Sequence, residues 1–350
     1  MKILDSEQIA AFRAFAQSHD AFIVAGHKDP DGDCVSSSLA AAAILKALNK
    51  EYILLNAGPF KRPEIRQFEK DFTDQIPFLS QEDRKKTGLL LVDCSELNRI
   101  GDYGDSLKGF DTFIVDHHKT AETPEGAQSV IDPTSPAAVC LLTMLYENIV
   151  GQPDPETAKI MFLGLSTDTG FFRFLREDSA DVFELAARLV RYGANPNKMY
   201  NHITGGKPWS TRKLLGLLLS RTELYCNGKL ALTYETMEDT KNWGQEGRDS
   251  DSLYTALLSA QGIQAAVFLR QETETSCTGG FRSLDDVDVS AVAAKFGGGG
   301  HKNASGMSVQ GKIATLIPQI VKEFSRIVCV SLFSYQSAFC LSPFATAILK

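Results

Sequence analysis

The chain has 350 residues, 43% hydrophobic and 23% charged, which is the balance of an ordinary globular protein and more chain than one core usually serves. Two domains are therefore expected. A net charge of -7 argues against a cationic coat for long nucleic acid, and seven scattered cysteines without a CxxC pair argue against a disulfide framework or thiolate zinc site and suit a reducing cytoplasm.

In chain order, MKILDSEQIAAFRAFAQSHD reads as an amphipathic helix capped by Asp5 or Ser6, without the continuous apolar core of a signal peptide. Apolar runs at 21–26, 52–57, 88–93 and 112–118 read as strands. They are continuous rather than alternating, as for strands covered on both faces. Helical stretches follow the first and fourth runs, and ETAKIMFLGLSTDT and SADVFELAARLVRYGA continue as helices. The alternation predicts an α/β fold, a doubly wound and mainly parallel sheet, over residues 1–192.

GANPNKMYNHITGGKP then reads as a connector at 193–208. Residues 209–326 predict a smaller α+β domain. It opens with a helix at WSTRKLLGLLLSRTE, followed by a hairpin turning at Asn227-Gly228. IQAAVFLRQ and SCTGGFRS form a strand pair, and VDVSAVAAKF is a helix running into four glycines. From Ile327 to Leu349 no residue is charged. That length reaches across a bilayer, but serines, a glutamine and Pro343 interrupt it, so a membrane anchor is not expected and the tail 327–350 has no assigned role.

The chemistry lies where the strands stop. The first ends in GHKDPDGD, with His27, Asp29, Asp31 and Asp33; the third ends in Asp93; the fourth ends in Asp116, His117 and His118. In parallel sheets the carboxyl ends of strands form the crevice that receives ligands. Asp168, in LSTDTGFF, closes the same crevice after an apolar helix. So many carboxylates repel unless positive charge compensates them. Acids with a minority of histidines and no thiolate suit Mn2+ or Mg2+, and two such ions can activate a water and steady a phosphoryl displacement. Taken singly, each residue has a plainer reading. Asp33 could cap the helix starting near Cys34, His117 could sit in a core, Cys34 and Cys94 are read as small packing residues, and Phe171, Phe172 and Phe174 as core. The coincidence at three strand ends and in STDTG favours one shared site.

At these residues the chain resembles the DHH phosphoesterase superfamily: HKDPDGD, VDCSE, VDHHKT and STDTGFF match its motifs in order, and GGFRS with GGGGHKNASG matches its DHH-associated domain. Within it, the bifunctional oligoribonucleases that also dephosphorylate 3′-phosphoadenosine 5′-phosphate (pAp) are the nearest likeness. The resemblance implies two Mn2+ ions, with Mg2+ or Co2+ as substitutes. His27, Asp31 and Asp93 would hold one ion, and Asp33, Asp93, His117 and Asp168 the other. Asp93 would bridge them, Asp116 would orient an imidazole, Asp29 would serve the loop, and His118 would face the scissile phosphate. It implies short single-stranded RNA oligonucleotides and pAp as substrates and favours a binding role for Gly298, Gly299, Gly300 and His301 in the glycine run; beside it, Arg282 is the candidate second phosphate clamp because a guanidinium grips phosphate bidentately, and Lys28, Lys119 and Arg173 next to the metal motifs add positive field. No long nucleic acid partner is expected, and a homodimer is compatible. The rival readings are a cyclic- or linear-dinucleotide phosphodiesterase and a nucleotide-binding regulator without activity.

Overall fold

A computed structural model describes residues 2–119, 123–244, 248–284 and 286–328; most of the uncharged tail lies outside them. The chain divides into two units, Met1–Gly206 and Lys207–Lys350.

The first unit runs α1 (Ser6–Ser18), β1 (Ala21–Ala25), α2 (Gly32–Ala47), β2 (Glu51–Leu55), α3 (Gln81–Lys86), β3 (Thr87–Val92), β4 (Asp111–Asp116), β5 (Gln128–Ile131), α4 (Ala138–Ile149), α5 (Pro155–Asp168), α6 (Ala180–Arg191) and α7 (Pro196–Thr204). The strands form one parallel sheet in the order β2-β1-β3-β4-β5. Successive side chains point to opposite faces. Phe22, Val24, Leu90, Val92 and Phe113 enter the core under the helices, and Ile23, Ala25, Leu89, Leu91 and Ile114 enter a second core that includes Ile100 and Leu107 from 3-10 turns at Leu97–Ile100 and Gly104–Leu107. Burial on both faces is why the central strands read as unbroken apolar runs. The edge strand β5 (QSVI) escaped that reading because it is four residues long and half of it is exposed.

Helix α1 starts as expected: the Asp5 side chain accepts from the Gln8 amide, and Gln8 reaches back in a capping box. Asp31, not Asp33, caps α2, accepting from the amides of Asp33 and Cys34 at 3.1 and 3.0 Å. Helices α2 and α5 then pack unusually close. A Cβ on Gly32 would stand 2.2 Å from Thr167 Oγ1, and one on Gly164 would stand 2.7 Å from Ser36 Cβ. Only glycine fits at both crossings, and that closeness brings the first turn of α2 beside the last residue of α5.

The segment read as a connector contains a helix: Asn195 caps α7, its side chain accepting from the Lys198 amide, and Pro196 takes the first turn, where its missing N–H costs nothing. The same Asn and Pro that signal a loop are a helix start.

The second unit runs α8 (Trp209–Ser220), β6 (Glu223–Tyr225), β7 (Leu230–Glu235), α9 (Met237–Trp243), α10 (Ser250–Leu258), β8 (Ala265–Thr273), β9 (Ser276–Ser283), α11 (Ser290–Lys295), β10 (Gly299–His301), β11 (Ala304–Gln310) and α12 (Ile313–Val328). Its six strands follow the order β10-β11-β9-β8-β7-β6 and are antiparallel except for β7 beside β8. The hairpin turn at Asn227-Gly228 is present, with Cys226, Asn227 and Gly228 all at positive φ. Asn303, Ala304 and Ser305 form a turn and a strand, not the start of a helix. Among the described residues no helix is long and apolar enough to cross a membrane.

Replacing Gly164 by Val would force α2 and α5 apart or strain them. We expect Gly164→Val to lose about 1–3 kcal/mol of stability, read as a lower midpoint in thermal or urea unfolding of the whole chain, and to weaken divalent-cation binding at the site described next.

Candidate metal centre

Three strand ends and two helices converge on one cluster of acids and imidazoles. After β1 the chain passes through Gly26, where a Cβ would lie 2.3 Å from Cys34 Sγ. That close approach lets the loop carrying His27 lie on the first turn of α2. His27 Nδ1 meets the Lys28 carbonyl at 2.8 Å. A carbonyl only accepts, so Nδ1 carries a proton and Nε2 is left to face the cluster. Nε2 lies 3.4 Å from Asp93 Oδ2 and 3.9 Å from Asp31 Oδ1.

Asp93 follows β3 directly, with its backbone in the left-handed region at φ 55°. Such a conformation costs an ordinary residue roughly 1–2 kcal/mol and marks a position the surroundings over-determine. The side chain is 3% exposed, and its Oδ1 has no hydrogen-bond partner among the described residues. An orphaned buried carboxylate oxygen is costly. It requires a cationic or donor partner, and its neighbours are imidazoles.

Strand β4 ends at Asp116, so the alternation that would send His117 and His118 to opposite faces no longer applies, and their ring centroids lie 4.7 Å apart. Their hydrogen bonds nevertheless separate them. His117 Nδ1 binds the Ser135 carbonyl at 3.2 Å, leaving Nε2 3.4 Å from Asp93 Oδ1, 3.5 Å from Asp168 Oδ2 and 3.8 Å from Asp33 Oδ2. His118 Nδ1 instead donates to Asp116 Oδ1 at 2.7 Å, and that oxygen also accepts the His117 amide at 2.8 Å. Asp116 thus orients His118 and leaves its Nε2 free. The His118 side chain is 35% exposed against 16% for His117.

Asp33 lies on the buried side of the same cluster. Its two oxygens accept the amides of Ala138 and Val139 at 2.6 and 3.0 Å. These are orphan donors at the start of α4, whose N-cap Ala137 has no side chain to offer them. The helix cap anticipated for Asp33 exists, but on a helix a hundred residues away in the chain. Asp168, the last residue of α5, completes the ring from the other side.

The acids perturb one another. Burial, then Asp93 and Asp168, push the Asp33 carboxyl well up; burial raises Asp168 to about 6. Asp31 goes the other way: burial opposes ionisation, but His27 and the Cys34 amide outweigh it and hold the carboxyl low. Burial pulls the imidazoles down, yet Asp93 with Asp33 and Asp168 lifts His117 to about 10, and Asp31 with Asp93 lifts His27 strongly. Protons are thus standing in for missing positive charge. Asp33, His117 and Asp168 each offer a ligand atom, all within 4.8 Å of one another; so do Asp93, His117 and His118, and so do His27, Cys34 and Asp93. Hard carboxylate oxygens and imidazole Nε2 atoms fit divalent cations. Cys34 was read as mere packing. Its thiol lies beside the ligand set, and burial, the largest influence on it, pushes its pKa to about 11.

Other residues fall elsewhere. Asp29, at φ 52°, pairs with Lys61 at 2.6 Å on the surface and serves the loop. Asn56, after β2, was missed: it donates to the His27 carbonyl at 3.1 Å and accepts the Gly58 amide at 2.8 Å, locking the loop. The rule applied to the other strand ends would have found it, but Asn carries no charge to draw attention.

In the second unit, His301, Ala304, Arg282 and Ala266 form one cross-strand row, and Gly299, Gly306, Gly280 and Phe268 the next. Directly opposed residues share a face. Arg282 is held by its guanidinium 4.9 Å above the Tyr254 ring and by the Phe281 carbonyl at 3.1 Å. The glycine run is an edge hairpin. A Cβ on Gly298 would meet Gly306 O at 2.1 Å and one on Gly300 would meet Ala304 O at 2.6 Å, whereas Gly299 faces open space. The Gly298 amide, expected to hold substrate, instead donates to the Ala293 carbonyl at 2.9 Å and is not turned toward an anion.

Ligands must shed protons to bind a metal. His117, with its pKa raised from 6.5 to about 10, would have to give up a proton at neutral pH in order to ligate a metal. We expect Mn2+ binding to release protons at pH 7, and its affinity to fall as pH falls from about 8 to 6. Calorimetry in buffers of different ionisation enthalpy checks this; heats that do not depend on the buffer would contradict it.

Comparison with known proteins agrees with this geometry. Residues 21–165 match the DHH family, N-terminal domain, and residues 230–328 match the DHHA1 domain. The bifunctional oligoribonuclease and PAP phosphatase NrnA of Thermus thermophilus is 31% identical over 289 residues, 82% of this chain and 84% of that one. An exopolyphosphatase-related protein from Bacteroides fragilis superposes with a TM-score of 0.80 at 22% identity, over 94% of this chain and 99% of that one. The exonuclease RecJ bound to manganese shares the fold at a TM-score of 0.50 and 16% identity, over 93% of this chain and 96% of that one. The family motifs, the paired domains and the acid–imidazole cluster lead to one conclusion: this chain belongs to the DHH family and is a hydrolase of phosphoester bonds.

Proposed function

We propose that the enzyme degrades short single-stranded RNA oligonucleotides to mononucleotides and removes the 3′-phosphate of pAp, using two Mn2+ ions. The observation that carries this reading is Asp93, whose two oxygens face His27 and His117 separately at 3.4 Å each. One buried carboxylate shared by two imidazole–acid groups is the arrangement two cations require. His27, Asp31 and Asp93 would hold one ion and Asp33, Asp93, His117 and Asp168 the other, with Mg2+ or Co2+ able to substitute. When bound, the ions supply Lewis acidity toward the phosphate and lower the pKa of water.

The chain's own residues do the rest. His118, aimed by Asp116 through its Nδ1–H, presents Nε2 to the phosphate or the leaving oxygen and donates from it when both ring nitrogens carry protons. Carbonyls of Lys28 and Ser135 keep the His27 and His117 rings from turning, which holds Nε2 on target. In the second unit, Arg282 can grip a phosphate bidentately, and His301 stands in the same cross-strand row beside the open backbone of Gly299. Short oligomers fit the net charge of -7, which supplies no track for a long strand. The relative from Thermus, whose name states both activities, supports the pairing of substrates. The cytoplasmic setting proposed here rests on the buried thiols of Cys34, Cys94, Cys140 and Cys277.

The test is a panel of pAp, dinucleotide, pentanucleotide, long RNA and cyclic dinucleotide, each with Mn2+ and with EDTA. Turnover of pAp and the short oligomers, lost in EDTA, is the expected outcome; preference for the cyclic dinucleotide would favour the rival phosphodiesterase. Asp93→Ala should abolish both activities with the circular dichroism spectrum unchanged. His118→Ala should keep Mn2+ affinity but lower kcat by about 10²–10⁴-fold, as expected for removal of a positioned proton donor.

A further inference from the structure

The turn after Asp168 contains a feature that metal binding does not explain. Gly170, Phe171 and Phe172 lie consecutively in the left-handed region, at φ 56°, 55° and 71°. For bulky residues this is a genuine outlier, and such outliers persist only where their surroundings enforce them. The bracing is visible. The buried Thr169 hydroxyl accepts the Phe172 amide at 3.0 Å, Phe171 packs edge-on against Tyr200 at 5.1 Å, and Phe172 stacks on Phe183 at 5.5 Å. Phe171 and Phe172 are thus packing residues, half-buried against the helical core.

The turn delivers something different in Phe174. Its amide returns to the Thr169 carbonyl at 3.1 Å, and its ring lies over Gly170, where a Cβ would stand 2.5 Å from the ring. The ring is therefore fixed within two residues of Asp168, yet it is 67% exposed and, among the described residues, pairs with no other aromatic ring. Arg173 joins it: its Nε donates to the Gly170 carbonyl at 2.9 Å and its guanidinium stands 5.5 Å from the Phe174 centroid. A strained, braced turn that presents one flat apolar ring and one cation beside a phosphate-cleaving centre fits a nucleobase attached to that phosphate, because aromatic rings stack on any base.

We propose that Phe174, flanked by Arg173, is the stacking platform for the nucleobase next to the scissile phosphate. This rests on the nucleotide substrates proposed above. Phe174→Ala removes an exposed ring, so the fold should be unaffected. It should lower kcat/KM on a dinucleotide about tenfold or more, mainly through KM, while leaving turnover of the matching abasic phosphodiester unchanged; Phe174→Tyr should restore it. Equal losses on both substrates, or no loss on either, would overturn the proposal. A second measurement needs no turnover. In the Phe174→Trp variant, AMP should quench the fluorescence that this variant has in excess of wild type, and ribose 5-phosphate should not. Quenching without dinucleotide or pAp hydrolysis by the wild type would keep the platform and refute the assigned reaction; hydrolysis without quenching would do the reverse.

Discussion

Asp31, Asp33, Asp93 and Asp168 gather around His27 and His117, with Asp33 and Asp93 buried and the others partly exposed, and the rest of the first unit is arranged around the cost of that crowding. Two like charges about 4 Å apart repel by roughly 4 kcal/mol at the effective dielectric of a protein surface, and four carboxylates compound it. The crowded acids raise the pKa values of the His27 and His117 imidazoles, and burial raises that of the Asp168 carboxyl, so the cluster favours bound protons. Divalent cations held there would replace those protons and turn the repulsion among the acids into attraction for the metal. The supports follow from this. Glycines at 32 and 164 bring α2 against α5, the left-handed Asp93 turns its carboxylate inward, and α4 lends two amides to Asp33.

Asp33 shows how structure and chemistry share one residue. A carboxylate crowded by other acids gains from the partial positive charge of a helix N-terminus. The helix in turn gains a cap that Ala137 cannot give. Removing Asp33 therefore disturbs both the fold and the site, whereas His118, partly exposed and oriented by Asp116, is separable from the architecture. The second unit follows a similar economy: Gly298 and Gly300 let two strands approach closely, while Gly299 between them has open space beside its backbone.

Much of this was legible in the amino-acid order, for physical reasons. Strands buried on both faces must be apolar throughout, so β1, β3 and β4 stood out, and acids or histidines ending such runs had few structural uses. The same logic failed where the signal was weak or shared. Strand β5 is short and half-exposed. Asn195 and Pro196 signal a loop and a helix start equally. The Asp33–α4 contact joins residues a hundred positions apart, which no local pattern encodes. The three phenylalanines after Asp168 look alike in sequence, but the left-handed turn buries two rings and exposes the third. The roles of His117 and His118 depended on where β4 stops, a boundary that a run of apolar residues leaves uncertain by a residue or two.

The most direct test of the central claim is anomalous diffraction at the manganese edge from crystals grown with Mn2+. Two peaks, about 3.5–4 Å apart and on either side of the Asp93 carboxylate, are the predicted result. A map with no peak there, while the four acids keep the positions described, would show that protons alone sustain the cluster and would contradict the account.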